Sequence, residues 1–384
     1  MANIKKRICD KMYQQIGTIS SISNTAFKKL QRYLNYKKKK FDIEGRLYGL
    51  KAPKRLSSAQ KKEVRQYYKE LTGQNVTTYS HDYFYSRSGI YSKMYVPMDL
   101  YYYDLEPKAN DRRFALAYGD KSITDVLFPN EKQPHVYLKN VNGYFYYEGE
   151  GIRREDVESV CSNLGDVIIK PTLKTHGVGI RLISLKDGID SRTGESLGHI
   201  LEAYKQDYMI EEKIRQHPGM AALNPSSVNT LRILTYRSDM EVLLIYSVIR
   251  IGRSGQVVDN QSAGGISAAI DSEGRLAKYA AGGTKEGVLN NVEKTDTGVI
   301  LDGYQIPSYD KAVEMVKRIH VKLPYFKLIG WDIAIDEVGD PVLIEFNTQA
   351  GLSQSAFGAG FGEYTERIIK ELWPRYNSLQ YSKS

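Results

Sequence analysis

Three oxygen donors stand close together near the C-terminal end of the chain, in the segment GWDIAIDEVGDPVLIEFN: Asp332, then Glu345 and Asn347 two residues apart. The apolar runs Leu328 to Ile335 and Pro341 to Asn347 flank the turn Glu337-Val338-Gly339-Asp340, which predicts a hairpin. Side chains alternate faces along a strand, so Glu345 and Asn347 point the same way, and Asp332 joins them from the partner strand. Mg²⁺ prefers one or two carboxylates plus phosphate oxygens and water over an all-protein cage, so this trio suits two Mg²⁺ ions shared with a nucleotide. Two ordinary strands with a few acidic residues would show the same spacing.

A second element is DVIIKPTLKTHGVGIRLIS. Lys170 closes a strand from Asp166, and Thr175, His176, Gly177 and Gly179 lie in the loop before a returning strand, Ile180 to Ser184. Backbone N–H groups of such a loop cradle phosphate oxygens, and a lysine adds a point charge. The lysine precedes the glycines and no GK[ST] follows, so this is not a Walker A loop, and a plain hairpin fits it too. Third comes DYMIEEKI, whose strand Tyr208 to Glu212 runs into polar residues and offers free backbone groups to an adenine edge. Beyond it, Arg232 sits within an apolar strand, where a guanidinium is costly unless it meets an anion; it is a candidate for the γ-phosphate.

The elements that must position these groups follow an alternation of strands and helices after residue 110. Helices are predicted for Leu197 to Lys205, Tyr309 to Val321 and Gly362 to Trp373, and strands for Thr230 to Tyr236 and Glu241 to Ile251. Upstream, Phe27, Leu30, Tyr33 and Leu34 fall at helical spacing among Lys28, Lys29, Arg32 and Lys37 to Lys40, and a helix from Ser58 to Leu71 opens on a Ser cap and stops before Gly73. The tyrosines between Thr78 and Tyr103 are read as packing residues ahead of ligand-stacking ones.

The chain has 384 residues, enough for two or three domains, and a net charge of +9. That charge is uneven. Residues 1–70 hold 19 Lys and Arg against 5 Asp and Glu, and the rest hold 35 against 40. The body is therefore mildly acidic, and the basic arm suits phosphates, a membrane surface or an acidic polymer. Two cysteines, Cys9 and Cys161, are too few for a disulfide framework or a Cys-based zinc site. With no apolar run near the roughly 20 residues of a membrane span, and no export signal behind the first charges, a cytoplasmic protein is expected.

In their order, the lysine strand and glycine loop, the Glu-rich hinge, the arginine strand and the Asp strand followed by Glu-x-Asn resemble the ATP-grasp superfamily over about residues 110–375. The resemblance implies an α/β (α+β) fold of two subdomains gripping ATP, with ATP and Mg²⁺ as cofactors. It gives Lys121, after Asp120, and Lys170 to the α and β phosphates, and Glu211, Glu212 and Ile214 to adenine, with Gln216 or His217 near the ribose. Glu345-Phe346-Asn347-Thr348 with Gly351, Leu352 and Ser353 is similar to the metal and substrate segment of D-alanine:D-alanine ligase, and Ser355 is taken with it as a substrate position. Ala350 stands where that ligase has proline, so its amino-acid substrate is not carried over.

The chain is more similar to the sugar-transfer-associated ATP-grasp proteins found with polysaccharide biosynthesis genes. Tyr91 to Pro97, Asn224 to Arg232, Asn260 with Gly264 and Gly265, and Gly303 to Pro307 carry that likeness, and the loop 259–269 resembles a phosphate or substrate loop. The implied division is a basic helical extension (1–75), an α/β region leading into the core (76–165), a lid subdomain (166–215) and a large subdomain with the metal site (216–384).

The implied activity is a carboxylate–amine ligase acting through an acyl phosphate on a sugar acid or glycan precursor. A kinase of the same fold acting on a hydroxyl is the first alternative. A nucleic-acid or membrane-surface binding protein with a decayed ATP site is the second, disfavoured because the proposed ligands are intact; no nucleic-acid partner is expected. The arm fits a lipid-linked or acidic acceptor at the inner face of the membrane. Asp332→Asn and Glu345→Gln are expected to abolish Mg-dependent turnover and to leave folding largely unchanged.

Overall fold

The computed structural model describes residues 24–50, 53–174, 177–256, 259, 264–284 and 287–373. They fall into two compact units, Met1–Asp111 with Gly351–Ser384, and Arg112–Ala350.

The first unit is helical. Its long helix α1 (Asn24–Tyr48) buries Leu34, Ile43 and Leu47, while Tyr33, expected on the apolar stripe, is 56% exposed. Helix α2 (Ser58–Thr72) begins with a reciprocal cap, Gln60 N–H donating to Ser57 Oγ at 3.2 Å and Ser57 N–H to Gln60 Oε1 at 2.9 Å, and ends at Gly73 with φ 71°. The tyrosine-rich stretch forms α3 (Tyr79–Ser88) and the turns after it. Its rings make core: Phe84 stacks on Tyr95 at 5.1 Å, and Tyr101 meets Phe361. Lysines of α1 lie over neighbouring tyrosines, Lys39 over Tyr102 at 4.4 Å and Lys40 over Tyr79 at 4.7 Å. Buried Gln354 accepts from Val96 N–H and Gly360 N–H at 2.8 Å each and donates to the Val96 carbonyl, tying the segment after Gly351 to this unit.

The second unit carries two seven-stranded antiparallel sheets. The first contains β1 (Val136–Val141), β2 (Tyr144–Tyr147), β3 (Glu150–Ile152), β4 (Gly165–Pro171), β5 (Arg181–Lys186), β6 (Ile189–Asp190) and β7 (Tyr208–Glu212), in the order β3-β2-β1-β7-β4-β5-β6. Val167, Ile169, Ile183, Leu185 and Ile210 turn one face onto helix α4 (Leu197–Tyr204), which contributes Leu197, Ile200 and Leu201. The second contains β8 (Thr230–Arg237), β9 (Val242–Ile251), β10 (Ile266–Ile270), β11 (Leu276–Thr284), β12 (Gly287–Val292), β13 (Leu328–Ile335) and β14 (Pro341–Asn347), ordered β12-β11-β10-β9-β8-β13-β14. Leu231, Ile233, Ile249, Trp331 and Ile333 form its apolar face, against Ala312, Met315, Val316 and Ile319 of α6 (Tyr309–His320); helix α5 (Pro218–Leu223) adds Met220 and Leu223. Each sheet thus has a core face and a face left for other work.

Candidate active site

Strand register builds the site. Arg232 on β8 stands opposite Val248 on β9 and Asp332 on β13, and Asp332 opposite Glu345 on β14. Alternation then puts Arg250 and Asn347 on the same face, away from the core. Between Asp332 and Ile333 the register slips, so that Glu345 faces Asp332 while Leu343 faces Ile333. This bulge lets Leu343 and Phe346 both stay in the core while Glu345 and Asn347 keep the polar face.

Asp332 is the centre of the cluster. Arg232 donates to it twice, Nε to Oδ1 at 2.5 Å and Nη2 to Oδ2 at 2.7 Å, and Arg250 Nη1 lies 3.3 Å from Oδ2. Burial works to raise the Asp332 carboxyl, but Arg232 and Arg250 outweigh it and hold it down at about 2. The Arg232 guanidinium, despite the desolvation that opposes its charge, is raised by Asp332 and Glu345. Glu345 meets Lys121, whose Nζ is 3.4 Å from Oε2 and also donates to the Lys174 carbonyl at 2.7 Å. The Asn347 amide lies 3.4 Å from Glu345 Oε1 and 3.5 Å from Asp332 Oδ2. The expected metal trio is therefore brought together, with Lys121 beside it. Arg232 answers the cost of a guanidinium on a strand by pairing with Asp332, which engages two of its three nitrogens.

That pairing corrects one expectation. With Asp332 buried and the Arg232 side chain only 11% exposed, Asp332→Asn leaves a cation without its partner, so a cost to folding is expected.

On the first sheet Lys170 Nζ is 2.7 Å from Glu211 Oε1, both groups buried. Burial raises the Glu211 carboxyl against the pull of Lys170. Ile168 and Met209 share this face by register, Ile168 opposite Glu211 and Lys170 opposite Met209. Together they make a surface of two apolar side chains and one ion pair. Glu212 and Ile214 are half-buried, and Glu212 N–H donates to the His135 carbonyl at 2.8 Å. His217 caps α5, its Nδ1 accepting from Gly219 N–H at 3.0 Å. Gln216 bonds the carbonyls of Asn224 and Ser227 and accepts from Asn229 N–H, so the Asn224 to Arg232 string is a buried amide network that anchors β8.

Gly177 and Gly179 both have positive φ, 72° and 83°, in the turn after Lys170. Gly264, with φ 99°, and Gly265 lead into β10. Gly351, Ser353 and Ser355 belong to the helical unit. Thr175, His176 and Asn260 lie outside the described residues. Arg250, Ile168 and Met209 were not singled out by the sequence reading. The rule that picks Arg232, a charge inside an apolar strand, also picks Arg250 in LLIYSVIRI; the other two need the register.

The chain belongs to the sugar-transfer associated ATP-grasp family, whose model matches residues 101–369. No curated protein matches it. Among solved structures it is similar to the ATP-grasp ligase PsnB complexed with minimal precursor, at 14% identity over 68% of this chain and 63% of that chain, with a TM-score of 0.40. It is also similar to an L-amino acid ligase from Bacillus licheniformis, at 12% identity over 62% of this chain and 42% of that one, TM-score 0.34. The chain spans less than two thirds of the length of these structures.

Proposed function

We propose that this protein is an ATP-dependent carboxylate–amine ligase that joins a sugar acid or glycan precursor to an amino acid or amine in bacterial polysaccharide biosynthesis. The observation that carries the reading is the polar face of the second sheet, where Asp332, Glu345 and Asn347 meet within a ring of Arg232, Arg250 and Lys121.

The donor set fits Mg²⁺. It is oxygen-rich and carries two carboxylates and an amide; among the described residues no group of three or more His, Cys, Asp or Glu offers a fuller cage. Asp332 is held ionised, and its Oδ1 keeps a lone pair beyond the one given to Arg232, while Oδ2 also meets Arg250 and the Asn347 amide. Held by these residues, Mg²⁺ would neutralise charge on phosphoryl oxygens. Lys170 and Lys121 are read as the lysines that steady the nucleotide phosphates, with Gly177 and Gly179 adding backbone N–H groups. Ile168, Met209, Glu211, Glu212 and Ile214 are read as the adenine side. Residues 166–215 then act as a lid and residues 216–350 as the metal-bearing body.

In the reaction a substrate carboxylate oxygen bonds to the γ-phosphorus as the bond to ADP breaks. The amine nitrogen then attacks the acyl carbon, orthophosphate leaves, and the nitrogen gives up its proton. Arg250 and Arg232 stabilise the negative charge that builds on the way. The basic segment of α1 is read as the element that meets an acidic or lipid-linked acceptor. No helix among the described residues is long and apolar enough to cross a membrane.

The test is ADP release against mixtures of uronic acids and amino acids. Amine-dependent release of ADP with orthophosphate is the expected result. Phosphorylated product without free phosphate would make the protein a kinase, and no release with any acceptor would remove the ligase reading.

A further inference from the structure

The turn that follows Lys170 is held from behind by a side chain outside the site described above. Tyr204, the last residue of α4, donates its hydroxyl to the Gly179 carbonyl at 2.7 Å. The same peptide unit is held at its other end, because Ile180 N–H donates to the Gly177 carbonyl at 3.3 Å. Among the described residues, neither the N–H of Val178 nor that of Gly179 has a hydrogen-bond partner. Gly179 is also pressed against the strand end: a Cβ there would lie 2.9 Å from Pro171 Cγ, and its φ of 83° is one that L side chains rarely adopt. The turn is therefore fixed by glycine geometry, by Pro171 beneath it, by the hydrogen bond from Ile180 to Gly177 and by the Tyr204 hydroxyl.

The anchor itself is rigid. The Tyr204 ring packs at 5.7 Å from Tyr208, and the chain leaves α4 through Lys205 and Asp207, both non-glycine residues with positive φ, 67° and 59°. Two such residues within three positions persist only where surrounding contacts hold them. Those contacts are present. Asp207 accepts Thr172 N–H on its carbonyl at 2.8 Å and Asn142 N–H on Oδ1 at 2.7 Å, and its own N–H donates to Asn140 Oδ1 at 3.3 Å. The Thr172 carbonyl in turn accepts Lys121 N–H at 3.1 Å. One network thus runs from Tyr204 through the turn at 205–207 to the strand end between Lys170 and the glycine turn, and on to Lys121.

We infer that Tyr204 is a positioning residue for nucleotide phosphates: through the Gly179 carbonyl it sets the plane of the peptide unit that closes the turn, and so where the turn's N–H groups stand. The inference rests on the reading that this turn receives the triphosphate. The back of the turn opens on a cleft of about 500 Å³ lined by Pro171, Leu173, Lys174, Arg181, Tyr204 and Asp207. Water can therefore reach the Gly179 carbonyl when the hydroxyl is removed, so the loss falls on geometry and not on a stranded buried acceptor.

The experiment is a binding titration of wild type, Y204F and Y208F with two probes in the presence of Mg²⁺, the nonhydrolysable triphosphate AMP-PNP and adenosine, alongside thermal midpoints without nucleotide. Tyr208 is the control, a neighbouring buried tyrosine that packs on Tyr204 but whose hydroxyl does not meet the Gly179 carbonyl. Y204F is expected to lose about 10-fold in AMP-PNP affinity, keep its adenosine affinity and keep its thermal midpoint, while Y208F keeps the ratio of the two affinities. An unchanged AMP-PNP affinity in Y204F, or equal losses for both probes, would overturn the positioning role. Should wild type itself bind no AMP-PNP, the nucleotide reading of the whole site fails first, and this inference with it.

Discussion

The two sheets of the second unit handle buried charge in opposite ways. On the first, Lys170 and Glu211 make a closed pair, one cation to one carboxylate, with apolar Ile168 and Met209 on the same face. On the second, two carboxylates, Asp332 and Glu345, are met by three cations, Arg232, Arg250 and Lys121, so the cluster carries one positive charge in excess. A neutral pair on a partly apolar face suits a flat, weakly charged ring. An open, cation-rich cluster with ionised oxygens suits a metal and the anions it brings. The pKa directions agree with this division: Asp332 is held low by its arginines, whereas burial raises Glu211 in spite of its lysine.

The comparison breaks most sharply at Asp332. Asp332→Asn leaves Arg232 and Arg250 without their carboxylate in a buried setting, and is expected to cost about 3–5 kcal/mol by chemical denaturation as well as all Mg-dependent turnover. Glu345→Gln is its counterpart. Glu345 is partly exposed and pairs with Lys121 only at 3.4 Å, so the same loss of turnover is expected with a stability change under about 1 kcal/mol. Equal stability costs for the two variants would refute the central place given to Asp332.

On the first sheet, Lys170→Met leaves Glu211 buried and alone, but a carboxyl already raised can take up a proton. The expected cost is therefore smaller than at Asp332, about 2 kcal/mol, and much of it should return in the double variant Lys170→Met with Glu211→Leu. A double variant as unstable as the single one would show that the pair is not closed.

Acid titration without divalent cations separates the sheets by sign. Asp332 has its folded value below the ordinary 3.8, so its contribution is complete above that value and is lost as pH falls through about 2, a loss of about 2 kcal/mol. Glu211 is shifted the other way. Its contribution is present below 4.5 and fades as pH rises past it. Stability curves against pH for wild type, D332N and E211Q should show the acid limb flattened only in D332N, and the decline above 4.5 flattened only in E211Q, which lies below wild type because Lys170 is left buried without its carboxylate. The smallest effect expected is at Arg250, whose single 3.3 Å contact to Asp332 makes Arg250→Gln nearly neutral for stability.

The hairpin that carries the proposed metal ligands was legible to the residue, Leu328–Ile335 and Pro341–Asn347, because apolar alternation and the Gly339-Asp340 turn are local signals. Helix α2 was legible to within one residue at its C-terminal end, since its cap and terminal glycine lie within a few residues of its ends. The bulge opposite Asp332 and the pairing of Arg232 with it are not local: they arise from contacts across 100 residues of chain, where no periodicity reaches. Strands β1 to β3 escaped for a different reason, being short, tyrosine-rich and separated by tight turns at Asn142-Gly143 and Glu148-Gly149. Residues 24–48 and 58–72, read as a basic extension, share a compact unit with the segment after Gly351. Nothing in the spacing of either segment announces the other. His217, placed near the ribose by resemblance, caps a helix, a role that His-Pro before a short apolar run could have suggested.

The central claim is that Asp332, Glu345 and Asn347 hold a divalent cation together with a nucleotide. Paramagnetic resonance of Mn²⁺, used in place of Mg²⁺ and titrated into the protein with and without AMP-PNP, tests it most directly. Bound Mn²⁺ that appears with AMP-PNP in wild type and is lost in E345Q is the predicted result; Mn²⁺ bound equally well in E345Q would contradict it.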